Sequence, residues 1–335
     1  MNVRLPQAGV RNGGEGYLTS SVDVVIPVHN RFALTESCLR HLQAQTVPHR
    51  VVVVDNGSTD GTSELLREQW PEVNVVTCEQ PLGFAEACNR GAASGSGEVV
   101  VLLNNDVDCR PDFLQQLARP LHSDESVGAV AAVMLQPGEQ VIDSVGLFAD
   151  VTLAPFQRLD GLPASRAGDR CPVLLGPAGA AAAYRRRAWD EVGGLDEEMF
   201  AYMEDFDLAL RLRAAGWQAV VAPDAVGVHL GSATHGRRSA SQRRLFGFGR
   251  GYVLRRYGVL RSRHALRTLL TEALVVVGDV LISRDLSALR GRLAGWRAAA
   301  ALGRRPMPSE EFIDTSISLR RSLGLRGVVH RRGAR

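Results

Sequence analysis

Val99-Val100-Val101-Leu102-Leu103-Asn104-Asn105-Asp106-Val107-Asp108 is the stretch from which the fold is read. An unbroken run of five aliphatic residues, three of them β-branched, marks a strand buried on both faces, as in parallel sheets covered by helices. The run stops at two asparagines and an acid, and Pro111-Asp112-Phe113-Leu114 follows as a proline-led helix start. Polar loops between the carboxyl end of a buried strand and the next helix are where open parallel sheets bind their ligands.

Upstream, Val22 to Val28, Val51 to Asp55 and Val73 to Cys78 are runs of the same kind, separated by the helix-length segments Ala33 to Gln45, Thr62 to Gln69 and Phe84 to Ala93. This alternation predicts right-handed βαβ crossovers and an α/β fold with a Rossmann-like, mostly parallel sheet flanked by helices. Downstream, 127–134 reads as a further strand and 136–176, rich in Gly, Pro and Asp, as an irregular excursion. Val173 to Tyr184 leads into a helix around Arg186 to Val192. A helix from Glu204 to Ala215 closes at Gly216, and a strand from Gln218 to Ala222 follows. Beyond 240 the pattern is helical and Arg-rich. The expected division is a flexible segment over 1–20, an α/β domain over 21–235 and a basic helical C-terminal region over 236–335.

With 45% hydrophobic and 22% charged residues in 335, the composition excludes disordered and fibrous classes. The net charge of +3 hides an asymmetry: 231–335 carries 22 Arg against 6 acids, whereas 1–230 carries 17 against 30. A basic block of this size suits an anionic partner, either membrane phospholipid, a lipid-phosphate acceptor or nucleic acid, unless it is simply a solvated appendage. No aromatic stacking platform accompanies the charge, so nucleic acid is not expected. Leu269 to Ser283 is interrupted by Glu272, Gly278 and Asp279, too short and too charged to span a bilayer. Amphipathic Arg-rich helices can instead lie peripherally on an anionic membrane, or cover the acceptor side, or form a homo-oligomer contact.

Cys38, Cys78, Cys88, Cys109 and Cys171 are odd in number and lack C-x-x-C spacing, which fits reduced thiols. The first twenty residues hold no apolar run of secretory type, so the expected location is the cytoplasm, at or near the inner face of the cell membrane. With no Lys in the chain a P-loop is impossible, H-E-x-x-H is absent, and Gly95-Ser96-Gly97 precedes a strand instead of following the first one.

Strand one ends in Pro27-Val28-His29-Asn30 and strand two in Asp55-Asn56-Gly57-Ser58-Thr59-Asp60, so with 104–108 three polar loops converge on one edge. Asp55 can accept hydrogen bonds from a nucleotide base or ribose. The competing reading is a helix cap, for which Asn56, Ser58, Thr59 and Asp60 also serve. Asp106 and Asp108 flank one residue, so in an extended loop both carboxylates point to one side and offer oxygen ligands to Mg²⁺ or Mn²⁺. A D-x-D also arises by chance in turns. Asp205 lies near a helix N-terminus, where the dipole keeps a carboxylate ionised as a general base requires, though capping needs no more than this. His229 follows 24 residues later, after the strand around Val220, and can return to the same edge as a metal ligand or serve as an ordinary structural histidine.

Taken in order, Val24-Val25-Ile26-Pro27-Val28-His29-Asn30, Val54 to Asp60, Gly83-Phe84-Ala85-Glu86-Ala87-Cys88-Asn89-Arg90-Gly91, Leu103 to Asp106, Val192-Gly193-Gly194-Leu195-Asp196-Glu197 and Glu204-Asp205-Phe206-Asp207-Leu208 closely resemble family 2 glycosyltransferases, in particular bacterial rhamnosyltransferase-like members. The resemblance runs from Val22 to about Ser232 and implies a GT-A fold. It places Pro27, Val28, Asn30, Asp55, Asn56, Gly83, Asn105 and Asp106 around the nucleotide sugar. It makes Asp106, with Asp108 and His229, the holders of Mg²⁺ or Mn²⁺, Asp205 the catalytic base and Glu204 its neighbour on the acceptor side. Pro81 departs from the Asn common there in relatives. The implied reaction is an inverting transfer of a sugar, rhamnose among the candidates, from a nucleoside-diphosphate sugar to a hydroxyl of a glycan or polyprenyl-linked acceptor in cell-wall or polysaccharide biosynthesis. A non-catalytic nucleotide-sugar-binding scaffold in a glycan-assembly complex is the alternative, since a retained fold does not prove retained chemistry.

Overall fold

A computed structural model of the chain describes residues 21–169, 173–231 and 239–331, with side chains to 326. The expected flexible segment 1–20, Cys171 and the expected boundary at 235 lie outside the described residues. Four parallel strands form one half of the sheet: β1 (Val22–Val28), β2 (Arg50–Asn56), β3 (Asn74–Cys78) and β4 (Val99–Leu103), ordered β3-β2-β1-β4. Their crossovers are α1 (Phe32–Gln43), α2 (Thr62–Gln69) and α3 (Phe84–Ala93). Every residue of β4 is buried, as an aliphatic run covered on both faces requires.

After β4 the chain makes a turn and a short strand, β5 (Val107–Cys109), then α4 (Phe113–Ser123) and the wholly buried β6 (Val127–Leu135). The expected excursion over 136–176 contains three short strands, β7 (Ile142–Ser144), β8 (Leu147–Ala149) and β9 (Pro155–Gln157). Next come β10 (Ala181–Arg185), α5 (Arg186–Val192), α6 (Glu204–Ala214) and β11 (Gln218–His229). The second half of the sheet runs β4-β10-β6-β11-β5, with β10 antiparallel to both neighbours, β11 parallel to β6 and antiparallel to β5. β11 extends well beyond the expected Ala222, because its pairing with β6 slips between Val221 and Val226, passes Pro223-Asp224 and resumes.

Two details fix the layers. Gly91 of α3 sits where a Cβ would lie 2.3 Å from Val25 Cγ1 and 2.8 Å from Val54 Cγ2, so the helix rests directly on β1 and β2. Buried Asp23 accepts from the Gly97 N–H at 2.6 Å and from Arg186 Nη2 at 2.9 Å, which ties the start of β1 to α5.

The C-terminal region is helical, as expected: α7 (Ala240–Arg256), α8 (Ala265–Ser283), α9 (Ser287–Ala298) and α10 (Leu319–Arg331). α7 and α9 approach backbone to backbone through Gly247, Gly251, Gly291 and Gly295, where a Cβ would lie 2.0 to 2.4 Å from a carbonyl oxygen of the other helix. Tyr252 and Val253 of α7 share one buried cluster with Met203, Phe206 and Leu210 around α6.

Replacing Gly91 with Val should cost about 1–3 kcal/mol of stability through overpacking. A thermal or urea melt measures this, and an unchanged midpoint would mean that α3 does not lie against β1 and β2.

Candidate active site

The edge at the carboxyl ends of β1 and β2 is built by interlocked loops. Asn30 and Arg31 both have left-handed backbones (φ 61° and 63°), which side-chain-bearing residues adopt at a cost. The neighbouring loop holds them there. The Asn30 N–H donates to Ser58 Oγ (2.7 Å), the Arg31 N–H to Asp60 Oδ2 (2.7 Å), and the Thr59 N–H to Asn30 Oδ1 (2.8 Å). Pro27 and Val28 continue β1 beneath this loop.

Asp55 is 1% exposed, and its two oxygens accept from the Ser58 N–H (2.9 Å) and the Ser63 hydroxyl. Its carboxylate therefore clamps the loop into α2, as the capping alternative has it, with one bond on each oxygen. Asn56 accepts from the Leu82 N–H (2.7 Å) and donates to the Gly83 carbonyl (3.1 Å). Gly83 (φ 93°) packs against Phe200, whose carbonyl oxygen would lie 2.6 Å from any Cβ placed there. It joins α3 to the loop before α6.

At the end of β4, Asn105 Nδ2 donates to Thr35 Oγ1 (3.1 Å), and Asp106 is buried. β11 runs antiparallel to β5, opposing His229 to Val107, and the Leu230 N–H donates to the Asp106 carbonyl (2.9 Å). This places His229 Nε2 3.4 Å from Asp106 Oδ1, while Nδ1 lies 2.9 Å from Asp143 Oδ2 on β7. Burial works against a charged ring, but the hydrogen bonds and charges of Asp106 and Asp143 outweigh it and push His229 up to about 9. Asp143 gave no signal in the sequence beyond being one acid in an irregular stretch.

Asp108 is not brought to Asp106 and His229. Its Oδ1 accepts from Ser37 Oγ (3.2 Å) and lies 3.3 Å from His41 Nδ1, both on α1. The period-two expectation fails because Asn105 and Asp106 occupy a turn and only 107–109 are extended. Among the described residues no three metal-ligating side chains form one cluster. The donors that do fit a divalent ion are Asp106 and His229. Hard cations commonly take one or two protein ligands and complete their shell with substrate phosphate and water. A carboxylate on the far nitrogen is the usual support for a ligating imidazole, and Asp143 occupies that position.

Asp205 opens α6 after two further left-handed residues, Tyr202 and Met203 (φ 69° and 72°). Its Oδ2 accepts from the Gly179 N–H (2.8 Å), and its Oδ1 from the Phe206 N–H (2.7 Å). Burial raises its pKa, against the pull of these N–H groups. Successive helix residues point about 100° apart, so with Asp205 facing Gly179, Glu204 turns inward. It is 6% exposed, and its Oε2 has no hydrogen-bond partner. Glu204 thus lies within the core instead of lining an acceptor surface, and burial, with the charge of Asp205, pushes it up to about 8. The two N–H groups around Asp205 favour its ionised form, whereas nothing comparable offsets the burial of Glu204.

The loop before β10 joins Asp205 to the carboxyl end of β4. Gly179 holds Asp205, and Ala180 accepts from the Asn104 N–H (2.9 Å), so Asp205, Asn104, Asp106 and His229 follow one rim. Behind α6, Asp207 is wholly buried between Arg211, Arg305 and the Tyr257 hydroxyl. Tyr252 and Arg305 hold Asp196 in the same way. The C-terminal region thereby anchors the segment that carries Asp205.

The curled, mostly parallel sheet with this acidic rim is the GT-A glycosyltransferase fold. A mannosyltransferase from Pyrobaculum calidifontis, solved with GDP-Man and Mn²⁺, superposes with a TM-score of 0.50 at 24% identity, covering 85% of this chain and 76% of that one. GalNAc-T7, solved with UDP, GalNAc and Mn²⁺, gives 0.59 at 14% identity over 87% of this chain and 56% of that one. The family model for glycosyl transferase family 2 matches residues 23–193, and the chain belongs to that family. An N-acetylglucosaminyl-diphospho-decaprenol L-rhamnosyltransferase of Mycobacterium tuberculosis is 31% identical over 218 residues, 58% of this chain and 70% of that protein. The O-antigen biosynthesis protein RfbC of Myxococcus xanthus is 31% identical over 227 residues, 64% of this chain but 18% of the longer protein. The protein is a glycosyltransferase that uses a nucleotide sugar.

Glu204 is protonated in the fold at pH values where a free carboxyl is ionised. Stability is therefore complete below the ordinary carboxylate range and is lost as pH rises toward about 8. Glu204→Gln should remove that loss, gaining at least about 2 °C in Tm over the parent at pH 9 and nothing comparable at pH 5. Parallel Tm curves across that range would contradict the raised pKa.

Proposed function

We propose that the protein transfers a sugar, with inversion, from a nucleoside-diphosphate sugar to a hydroxyl of a glycan or polyprenyl-linked acceptor, using Mg²⁺ or Mn²⁺. The observation that carries this reading is the rim on which Asp205 and the Asp106–His229 pair stand, bridged by residues 179–180. Asp205 takes the proton of the acceptor hydroxyl as that oxygen bonds to the anomeric carbon. The bond to the diphosphate breaks on the opposite face, and its electron pair leaves with the nucleoside diphosphate. Asp106 and His229 would hold the divalent ion, which when bound neutralises charge on the departing diphosphate. Asp143 fixes the His229 ring so that Nε2 faces Asp106. The loops at 27–30, 56–58 and 105 are the proposed walls of the nucleotide-sugar pocket. The mycobacterial relative is named for L-rhamnose and a decaprenol-linked acceptor, so a rhamnosyl donor and a polyprenyl-diphosphate acceptor head the set of substrates.

Asp205→Asn should lose at least roughly a hundredfold in kcat while donor binding stays nearly intact, the scale of general-base catalysis. Because the base acts deprotonated and its pKa is raised, the parent's rate should fall on the acid side above the ordinary carboxylate range. Asp205→Asn should flatten that limb. Parental turnover by this variant at saturating donor and metal would rule out the assignment, and a parent inert toward every donor and acceptor would favour the scaffold alternative.

His229→Ala and Asp106→Ala should weaken Mn²⁺-dependent donor binding by calorimetry. Asp143→Asn should weaken it about 10- to 100-fold, the usual scale for a carboxylate behind a ligating histidine. Equal donor affinity with and without Mn²⁺ in the parent would remove the metal from the account.

A further inference from the structure

α8 is turned inside out. Its inward positions are Thr268, Thr271, Glu272 and Asp279, all buried or nearly so. Leu266, Leu270, Leu274, Val277 and Leu281, spaced three or four residues apart, form a continuous outward stripe, with Leu266 80% and Leu281 73% exposed. Surface helices normally bury the apolar stripe and solvate the polar one. Here the inward face is held by charge: Glu272 receives Arg250 (2.8 Å), Arg292 (3.1 Å) and Arg326 (2.6 Å), which come from α7, α9 and α10. The helix is therefore fixed without using its leucines, which leaves an apolar ridge about 22 Å long facing outward. No helix among the described residues is long and apolar enough to cross a membrane.

The ends of this ridge are cationic. Arg261 precedes α8 and Arg284 ends it, Arg290 follows on α9, and all three are exposed, with no ion pair among the described residues. The acids nearest the ends are already engaged, Glu310 by Arg263 and Asp285 by Arg243. Both acids within α8 face inward. A second copy of the chain docking on this ridge about a twofold axis would meet the same surface. Parallel pairing would oppose Arg261 to Arg261 and Arg284 to Arg284, and antiparallel pairing Arg261 to Arg284. Every such arrangement sets unpaired cations against each other. An anionic bilayer accepts the apolar stripe between its acyl chains and the arginines among its phosphates.

We propose that the outward face of α8 is the surface by which this protein docks on an anionic lipid bilayer, with the helix lying in the plane of the interface. This does not rest on the transferase reading, because docking is read without turnover. The test is flotation of the full chain with vesicles of phosphatidylcholine alone or with about one-third phosphatidylglycerol, at low and high salt, beside light scattering of the free protein. The protein should float with the anionic vesicles and release at high salt. Leu270→Glu with Leu274→Glu, both at exposed sites, should abolish flotation while the melt is preserved. Arg261→Glu and Arg284→Glu should each lower partitioning roughly fivefold or more, which tests the surface independently should the leucine variant fail to fold. Absence of flotation, flotation indifferent to lipid charge, or flotation unaffected by either set of variants overturns the proposal. So does a dimer in solution that the leucine variant converts to monomer, since the ridge is then a contact between copies.

Discussion

The link between the two flanks of the rim depends on β10 running antiparallel to β4. That pairing carries the chain from Arg185 opposite Val99 to Ala181 opposite Leu103, so the residues before β10 arrive at the carboxyl end of β4. There Ala180 accepts from Asn104 and Gly179 donates to Asp205. Gly179 suits its place, because a Cβ on it would lie 3.3 Å from the Asp205 carboxylate. A backbone ladder thus sets the position of a side chain 26 residues away in sequence. The same logic operates on the other flank, where the β11–β5 ladder delivers His229 to the shoulder of Asp106. Positions fixed by sheet hydrogen bonds are more rigid than positions on free loops, as preorganised electrostatics requires.

The electrostatics of the rim follow from burial. Two adjacent acids begin α6, yet the environment divides them: Asp205 has two N–H donors and Glu204 has an oxygen with none. Of the two, the carboxylate that faces Gly179 is the one whose ionised form the fold supports. The buried charges behind it are handled differently. Asp207 and Asp196 are compensated by arginines and tyrosines, several from beyond residue 250. The C-terminal helices are accordingly part of the support of the acidic segment.

Much of this was legible in the sequence. β1, β4, α2 and α3 stand where the aliphatic runs and their spacing place them, because strands buried on both faces and their crossover helices leave a local signature. Asp106 and Asp205 stood out in the sequence as members of an ordered set of motifs, and His229 as a lone histidine after a strand, which the structure sets beside Asp106. Asp143 was not, since its role exists only where β7 lies near the end of β11. Asp108 was misplaced because a turn interrupts the alternation on which period-two reasoning relies. The inversion of α8 was equally hidden. Its leucine stripe has the spacing of a core face, and only three arginines distant in sequence, converging on Glu272, decide which side faces in.

We propose that Asp106 and His229, and not Asp108, would hold the divalent ion beside the donor diphosphate. Crystals grown with Mn²⁺ and a nucleoside diphosphate, measured at the manganese absorption edge, test it directly. One anomalous peak is expected, bonded to an Asp106 carboxylate oxygen and to His229 Nε2, with diphosphate oxygens completing the shell. A peak seated instead between Asp108 and His41, or a bound diphosphate with no peak beside Asp106, would contradict it.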